Sequence, residues 1–114
     1  MDITIWHNPR CSKSRQTLEL LRNRGVEPRV IEYLKNPPSR AEIKRVLGLL
    51  GITAHDLLRR GEAAYKERGL SKKTDEADII EAMIHDPVLI ERPVVITEDR
   101  AIIGRPPEAV LEIV

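Results

Sequence analysis

The sequence predicts a small α/β fold, in which a β-sheet carries helices on both faces. The chain begins with a strand, helix, strand order and ends with two β-branched runs and a last helical segment. Between them, from about residue 39 to residue 86, the pattern is helical. Alternating strands and helices are typical of a layered α/β domain, and 114 residues suffice for one domain with its own core.

The first unit of the chain is a strand, a turn and a helix. The apolar run Ile3–Trp6 suits a buried strand, and a leucine-rich helical face follows it and ends at Gly25. A second strand is predicted over residues 30–34, closed by the Asn-Pro-Pro breaker at 36–38. A strand, helix, strand order of this length predicts a parallel pair with a right-handed crossover.

The middle of the chain contains the clearest helix. Ser39 opens a capping box with Glu42, apolar residues follow at spacings of three and four, and Gly51 ends the helix. Two shorter helices are predicted over residues 53–60 and 62–68, each closed by a glycine.

The last third of the chain predicts a helix, a hairpin and a final helix. An amphipathic face covers residues 79–84 and ends before Pro87. The β-branched run 94–96 and the apolar run 101–103 flank a polar turn, which predicts a hairpin. The two prolines at 106–107 start the final helix.

Composition excludes several classes of function. Nineteen basic and eighteen acidic side chains nearly cancel, and only three aromatic residues are available for stacking, so we expect no nucleic-acid partner. Three histidines and one cysteine show no metal-ligand spacing. A single cysteine and the lack of a long apolar run predict a cytoplasmic protein without a membrane partner. We also expect a monomer.

Cys11 is the candidate nucleophile. It is the only cysteine, and it lies in the turn between the first strand and the first helix. Unpaired N–H groups and the positive end of a helix dipole stabilise a thiolate there. A lone cysteine is usually an inert buried side chain, but the polar and cationic neighbours of Cys11 are poor material for a core. The pattern therefore favours a reactive thiol.

His7, Cys11 and Arg15 are spaced four and four. If the helix begins near Cys11, Arg15 lies one turn beyond the thiol and can face the same pocket. The alternative is that Arg15 is a solvated helix cation, which is the commoner position of an arginine.

The segment His7-Asn-Pro-Arg-Cys11-Ser-Lys-Ser-Arg15 resembles the signature of the ArsC family, the glutaredoxin-dependent arsenate reductases: His, three residues, Cys, three residues, Arg. The likeness continues in the same order along essentially the whole chain, through Glu27-Pro28, Tyr33-Leu34, Pro37-Pro38, Leu57-Leu58-Arg59, Glu91-Arg92-Pro93-Val94-Val95, Gly104-Arg105-Pro106 and Val110-Leu111-Glu112-Ile113. Its charged Cys11 loop and its end at Val114 resemble the short, arsenate-reductase-like branch of the family.

The resemblance implies one thioredoxin-like domain over residues 1–114, with a helical insertion at about 39–86. It also implies an active cysteine at the start of the first helix. Three arginines would converge on an oxyanion, and by motif position they are Arg59, Arg92 and Arg105. Planar guanidinium forks suit a tetrahedral oxyanion because each can hold two of its oxygens. In related folds the proline that opens the third strand follows a cis bond, so we expect one between Arg92 and Pro93.

The reaction that the resemblance implies is an arsenic detoxification in steps. The Cys11 thiolate attacks arsenate, glutathione attacks the adduct, arsenite leaves, and glutaredoxin reduces the resulting mixed disulfide. No cofactor is bound, and reducing equivalents come from outside, so one cysteine suffices. Ser14 can present its hydroxyl to the thiolate. His7 is expected to tune the thiol electrostatically or to hold the loop rather than to relay protons, and a structural loop histidine is about as well supported as a direct catalytic role.

Two alternatives stay open. Cys11-Ser12-Lys13-Ser14 has the Cys-x-x-Ser form of monothiol glutaredoxins, which predicts another thiol oxidoreductase with an unknown substrate. The chain also resembles Spx-type regulators, which share the fold and bind RNA polymerase. Those regulators carry a Cys-x-x-Cys switch, and Ser14 stands at the position of its second cysteine. Reversible glutathionylation without arsenate turnover would favour the first alternative, and capture of polymerase subunits the second.

Overall fold

The computed structural model describes residues 2–114. They form two compact units, one of residues 2–36 together with 92–114 and the other of residues 37–91. The extent of a single domain over residues 1–114 stays a prediction. Within residues 2–114, every helix falls short of the length and apolar character needed to cross a bilayer.

The first unit is built on a mixed sheet of four short strands in the order β2-β1-β3-β4. The strands are β1 (Thr4–His7), β2 (Arg29–Glu32), β3 (Val94–Ile96) and β4 (Ala101–Ile103). β1 runs parallel to β2 and antiparallel to β3, and β3 pairs antiparallel with β4. The parallel pair and the hairpin predicted from the sequence are therefore confirmed.

One helix and one 3₁₀ helix pack against this sheet. They are α1 (Ser12–Asn23) and the 3₁₀ helix Pro107–Glu112. Apolar side chains from both, from β1 and β3 and from residues that directly adjoin these elements form one buried cluster, which comprises Ile3, Ile5, Leu18, Leu21, Val95, Val110 and Ile113. This cluster fixes the start of α1 beside the carboxyl end of β1, where Cys11 lies.

The end of α1 follows from a glycine. Gly25 has φ 79°, in the left-handed region, where a side chain would be strained. Its N–H donates to the Arg22 carbonyl, and the Val26 N–H donates to the Leu21 carbonyl over 2.9 Å. These two bonds form a Schellman motif, which satisfies carbonyls that the helix end would leave exposed.

The second unit is helical. Its α-helices are α2 (Arg40–Leu50), α3 (Ala63–Glu67) and α4 (Glu76–His85), with 3₁₀ helices at His55–Leu57 and Pro87–Leu89. The Ser39 hydroxyl accepts from the Glu42 N–H over 3.1 Å, and Gly51 ends α2 with φ 69°. The predicted helix after Ser39 is therefore confirmed at both ends.

Two predicted elements are shorter than the sequence indicated. The second strand ends at Glu32, because Tyr33 and Leu34 enter a turn in which the Lys35 N–H donates to the Glu32 carbonyl. The helix expected over residues 53–60 is only the 3₁₀ turn His55–Leu57. Leu58 is extended and forms a β-bridge with Ile90, so the chain has left the helical region by then.

The final helix is a 3₁₀ helix and not an α-helix. The Ala109 N–H donates to the Pro106 carbonyl and the Ile113 N–H to the Val110 carbonyl, each three residues back. Pro106 and Pro107 stand at its first positions, where a helix tolerates proline because its first N–H groups have no intrahelical acceptor. Val110 of this element and Ile113, which directly follows it, are still buried in the core of the first unit.

Candidate active site

Cys11 is the N-cap residue of α1 and has an extended backbone, with φ −95° and ψ 123°. Its N–H donates to the Asn8 carbonyl and its carbonyl accepts from the Arg15 N–H, each over 3.0 Å. The side chain is a free thiol and is partly exposed. The loop therefore holds a reactive group at the positive end of a twelve-residue helix, where backbone donors favour an anion.

The Arg105 guanidinium lies close to this thiol. Its Nη2 atom lies 4.0 Å from the Cys11 sulfur, within the range of a long hydrogen bond to sulfur. Its Nε atom donates to the Arg92 carbonyl over 2.8 Å, which anchors the guanidinium at its other side. The structure thus brings together Cys11 and Arg105, which are 94 residues apart in the chain.

Arg92 and Pro93 lie directly before β3, in the same unit as Cys11. The Arg92 side chain is half-buried, with its Nε and Nη1 atoms buried. The peptide bond between Arg92 and Pro93 is cis, as expected from the resemblance. The bond between Arg105 and Pro106 is also cis, which the sequence did not predict.

His7 and Ser14 form a buried pair beneath the Cys11 loop. The Nδ1 atom of His7 lies 2.7 Å from the Ser14 hydroxyl oxygen, which also accepts from the Asn8 N–H over 3.0 Å. Burial lowers the pKa of His7. The charge of Glu32 raises this pKa, whereas the charges of Arg22 and Arg15 lower it further. Near neutral pH the imidazole is therefore uncharged, and it serves as a hydrogen-bond partner of the loop.

This pairing differs from the expectation that the Ser14 hydroxyl is presented to the Cys11 thiolate. Within residues 2–114, the hydrogen bonds of the Ser14 hydroxyl run to His7 and Asn8 and not to the Cys11 sulfur. The physical reason is the helical position of Ser14, which is fully buried on the inner side of α1. Of the two roles considered for His7, this geometry favours holding the loop.

Arg15 also forms a hydrogen bond with the loop. Its Nη1 atom donates to the Pro9 carbonyl over 2.9 Å, and the side chain is exposed. The arginine therefore braces the turn that precedes Cys11. A direct effect on the thiol stays a prediction.

Arg59 lies in the second unit and is held by carboxylates of that unit. Its Nη1 atom donates to Glu62 Oε1 over 2.8 Å, and its Nε atom is 3.6 Å from Glu91 Oε1. Its backbone N–H donates to the Leu89 carbonyl over 2.7 Å. An oxyanion that binds Arg59 has to share this guanidinium with two carboxylates.

Sequence reasoning missed three residues that shape the loop and the arginine beside it. Asn8 accepts from Cys11 through its carbonyl and from the Arg10 N–H through its side chain. Gly104 packs tightly against Thr17, directly before Arg105. An Asn-Pro dipeptide is a turn signal, and a glycine at the end of a strand indicates close backbone approach, so the signals for Asn8 and Gly104 were present.

In the part of the chain that the structure describes, residues 2–114, no group of three or more His, Cys, Asp or Glu side chains could hold a metal ion. The site itself brings a partly exposed thiol and the Arg105 guanidinium together. A helix N-terminus and a guanidinium can bind a tetrahedral anion. A partly exposed sulfur beside them can then attack the central atom of that anion.

Comparison with known proteins gives consistent matches. The ArsC family model matches residues 6–113. The protein YfgD of Escherichia coli strain K12 is 49% identical over 98% of this chain and 96% of its own length. An arsenate reductase of the same strain is 46% identical over 98% of this chain and 80% of its own length. The solved structure of an arsenate reductase from Vibrio cholerae superposes with a TM-score of 0.96, at 46% identity, over 100% of this chain and 98% of that one.

These matches extend across both units and include the Cys11 loop and β3, so the likeness is not confined to one motif. They also confirm the predicted fold class, a thioredoxin-like α/β fold that includes a helical segment between β2 and β3. The chain belongs to the ArsC family.

Proposed function

We propose that this protein is an arsenate reductase that uses the Cys11 thiol as its nucleophile. The observation that carries the proposal is the position of the Arg105 guanidinium, 4.0 Å from the Cys11 sulfur at the N-terminus of α1. A thiol beside a fixed cation can receive an oxyanion and attack its central atom. Membership of the ArsC family and the arsenate reductases among its relatives support arsenate as that oxyanion.

In the proposed reaction the Cys11 thiolate forms a sulfur–arsenic bond, and one oxygen leaves arsenate as water. A glutathione thiolate then attacks the Cys11 sulfur and the sulfur–arsenic bond breaks. The bonding pair stays on arsenic, which leaves as arsenite, while the two thiols are oxidised to a mixed disulfide. A glutaredoxin thiol attacks that disulfide and returns Cys11 to its reduced form.

The arginines have distinct places in this proposal. Arg105 and Arg92 hold arsenate oxygens and offset the negative charge that develops as sulfur attacks. Arg59 is proposed as the third oxyanion ligand, in competition with Glu62 and Glu91 for its guanidinium. His7, Ser14 and Arg15 keep the loop in shape, and Pro93 borders the site through its link to Arg92.

Glutathione is proposed as a co-substrate and glutaredoxin as the protein partner, with no resident cofactor. We also propose that residues 1–114 act as one domain, that the protein works as a monomer in the cytoplasm, and that it has no nucleic-acid or membrane partner. The near balance of basic and acidic side chains supports the absence of a polyanionic partner.

The experiment that tests the function is arsenite formation by the purified protein supplied with arsenate, glutathione and glutaredoxin. We expect turnover that is abolished in Cys11→Ala and strongly reduced in Arg105→Ala, with Arg24→Ala as a matched control because Arg24 caps the far end of α1. Glutathionylation of Cys11 without arsenite would instead support the thiol oxidoreductase of unknown substrate.

A further inference from the structure

Residue 104 has to be glycine because the atoms around it leave no room for a side chain. A Cβ atom built on it would lie 2.8 Å from Pro93 Cγ and 2.8 Å from Thr17 Oγ1, with Thr17 Cγ2 at 3.3 Å. Contacts below 3.0 Å are essentially never made by real Cβ atoms. The backbone φ of Gly104 is not positive, unlike that of Gly25, so the need for glycine here comes from packing alone.

The atoms that a side chain would meet are held in place. Thr17 is fully buried, and its Oγ1 donates to the Lys13 carbonyl over 2.8 Å, so rotation of the hydroxyl would break a buried bond. Pro93 is buried, and its carbonyl accepts from the Gly104 N–H over 2.8 Å. A side chain at residue 104 therefore has to move the backbone.

That backbone carries Arg105. The Arg105 N–H donates to the Ile103 carbonyl, its Nε donates to the Arg92 carbonyl, and its Nη2 lies beside the Cys11 sulfur. A shift of residue 104 away from Thr17 and Pro93 moves the backbone of Arg105 relative to the two groups that its guanidinium contacts, the Arg92 carbonyl and the Cys11 sulfur. The contact of 4.0 Å with sulfur is already long, so a small shift removes it.

We propose that Gly104, by its close packing on Thr17 and Pro93, is a positioning residue that places the Arg105 guanidinium on the Cys11 thiol. Its importance for catalysis rests on the proposed function, in which Arg105 binds the oxyanion. Gly104 has no side chain with which to bind an oxyanion. Its effect is entirely through the side chain of the next residue.

The test compares the rates at which Cys11 reacts with iodoacetate, an anion, and with iodoacetamide, its neutral analogue. A cation about 4 Å from the sulfur in a solvent-exposed setting favours the anion roughly fivefold. We expect this preference in the wild type, its loss in Arg105→Ala, and at least a twofold reduction in Gly104→Ala. Gly48→Ala is the matched control, because a Cβ there meets nothing within 4 Å and we expect an unchanged ratio.

A double variant separates positioning from general damage. Thr17→Ala removes both Thr17 atoms that crowd residue 104, so Thr17→Ala with Gly104→Ala should regain part of the ratio that Gly104→Ala loses. If Gly104→Ala is folded, as judged by circular dichroism, and keeps the wild-type ratio of iodoacetate to iodoacetamide rates, the proposal is overturned. If Gly104→Ala does not fold, the double variant is compared with Thr17→Ala, and equal ratios would overturn it, because the Pro93 contact remains.

Arsenate kinetics give a second readout. We expect Gly104→Ala to raise the KM for arsenate several-fold. When it is combined with Arg105→Ala, it should raise the KM little beyond that of Arg105→Ala alone, because both substitutions act on one guanidinium. A loss of folded enzyme alone would lower kcat and leave KM unchanged. If the wild type forms no arsenite, the proposed function fails, whereas the alkylation ratios still test the positioning of Arg105.

Discussion

The Nδ1 atom of His7 lies 2.7 Å from the hydroxyl oxygen of Ser14, and both side chains are buried where β1 leads into the Cys11 loop. The same oxygen accepts from the Asn8 backbone N–H. One hydroxyl on α1 therefore holds both the last residue of the strand and the first residue of the loop. The shape of the loop that presents the thiol depends on this junction.

Loss of the Ser14 hydroxyl is predicted to destabilise the protein. Ser14→Ala leaves a buried imidazole nitrogen and a backbone N–H without their partner, which costs about 1–3 kcal/mol. Urea unfolding followed by circular dichroism measures the loss. Ser12→Ala is the control, since Ser12 is exposed on the same helix and its removal should change the free energy of unfolding by less than about 0.5 kcal/mol. Equal effects of the two substitutions would contradict the role of the buried pair.

The lowered pKa of His7 predicts how stability depends on pH. Because the folded pKa lies below the unfolded value of about 6.5, the unfolded state takes up its proton first as the pH falls. The contribution of His7 to stability is therefore full above that value, is lost as the pH falls through it, and levels off once the folded state is also protonated.

The corresponding measurement is urea unfolding at pH 7.5 and pH 5.5 for the wild type and His7→Gln. We expect acidification to lower the free energy of unfolding more in the wild type than in the variant. The comparison cancels the titration of other groups. A loss that is equal in both proteins, or larger in His7→Gln, would show that His7 is not desolvated as described.

Release of Arg59 from Glu62 is predicted to improve arsenate binding. If Arg59 is an oxyanion ligand, the Glu62 carboxylate, 2.8 Å from its Nη1 atom, competes with arsenate. The pair is partly exposed, so Glu62→Gln should lower the KM for arsenate by about twofold to fivefold. Glu67→Gln, on the exposed surface of α3, controls for the change in net charge. A KM that is unchanged or raised in Glu62→Gln would argue against Arg59 as a ligand.

Removal of the α2 cap is predicted to destabilise the second unit. Ser39→Ala deletes the acceptor of the Glu42 N–H and should cost about 1 kcal/mol. Ser39→Asp keeps an acceptor at the same place and should stay close to the wild type in thermal unfolding. Similar melting temperatures for Ser39→Ala and Ser39→Asp would mean that the cap contributes little.

Elements with a local chemical signal were predictable from the sequence. Ser39 and Gly51 mark the two ends of α2 through a cap and a left-handed glycine, both of which act within one turn of the chain. The strands at 94–96 and 101–103 follow from β-branched and apolar runs. Tyr33 and Leu34 are predicted in the second strand but lie in the turn that follows it. Tyr33 is nevertheless buried, and burial alone does not specify an extended backbone.

The site was predictable only in part. The position of Cys11 between an apolar strand and a helical segment indicated a turn that leads into a helix, and the resemblance supplied Arg92 and Arg105. The contacts of Ser14 with His7 and of Gly104 with Thr17 depend on how α1 packs against the sheet, which no local pattern records. Residues that act through close packing therefore need the structure, whereas residues that act through their own chemistry can be named from the sequence.

The most direct test of the central claim is a single turnover with arsenate and glutathione but without glutaredoxin. Arsenite and the mass of the intact protein are measured in the same sample. The proposed reaction predicts that arsenite forms in an amount equal to the mixed disulfide of Cys11 with glutathione, and that Cys11→Ala forms neither. Arsenite without the mixed disulfide, or the mixed disulfide formed equally well without arsenate, would contradict the role of Cys11 as the nucleophile of arsenate reduction.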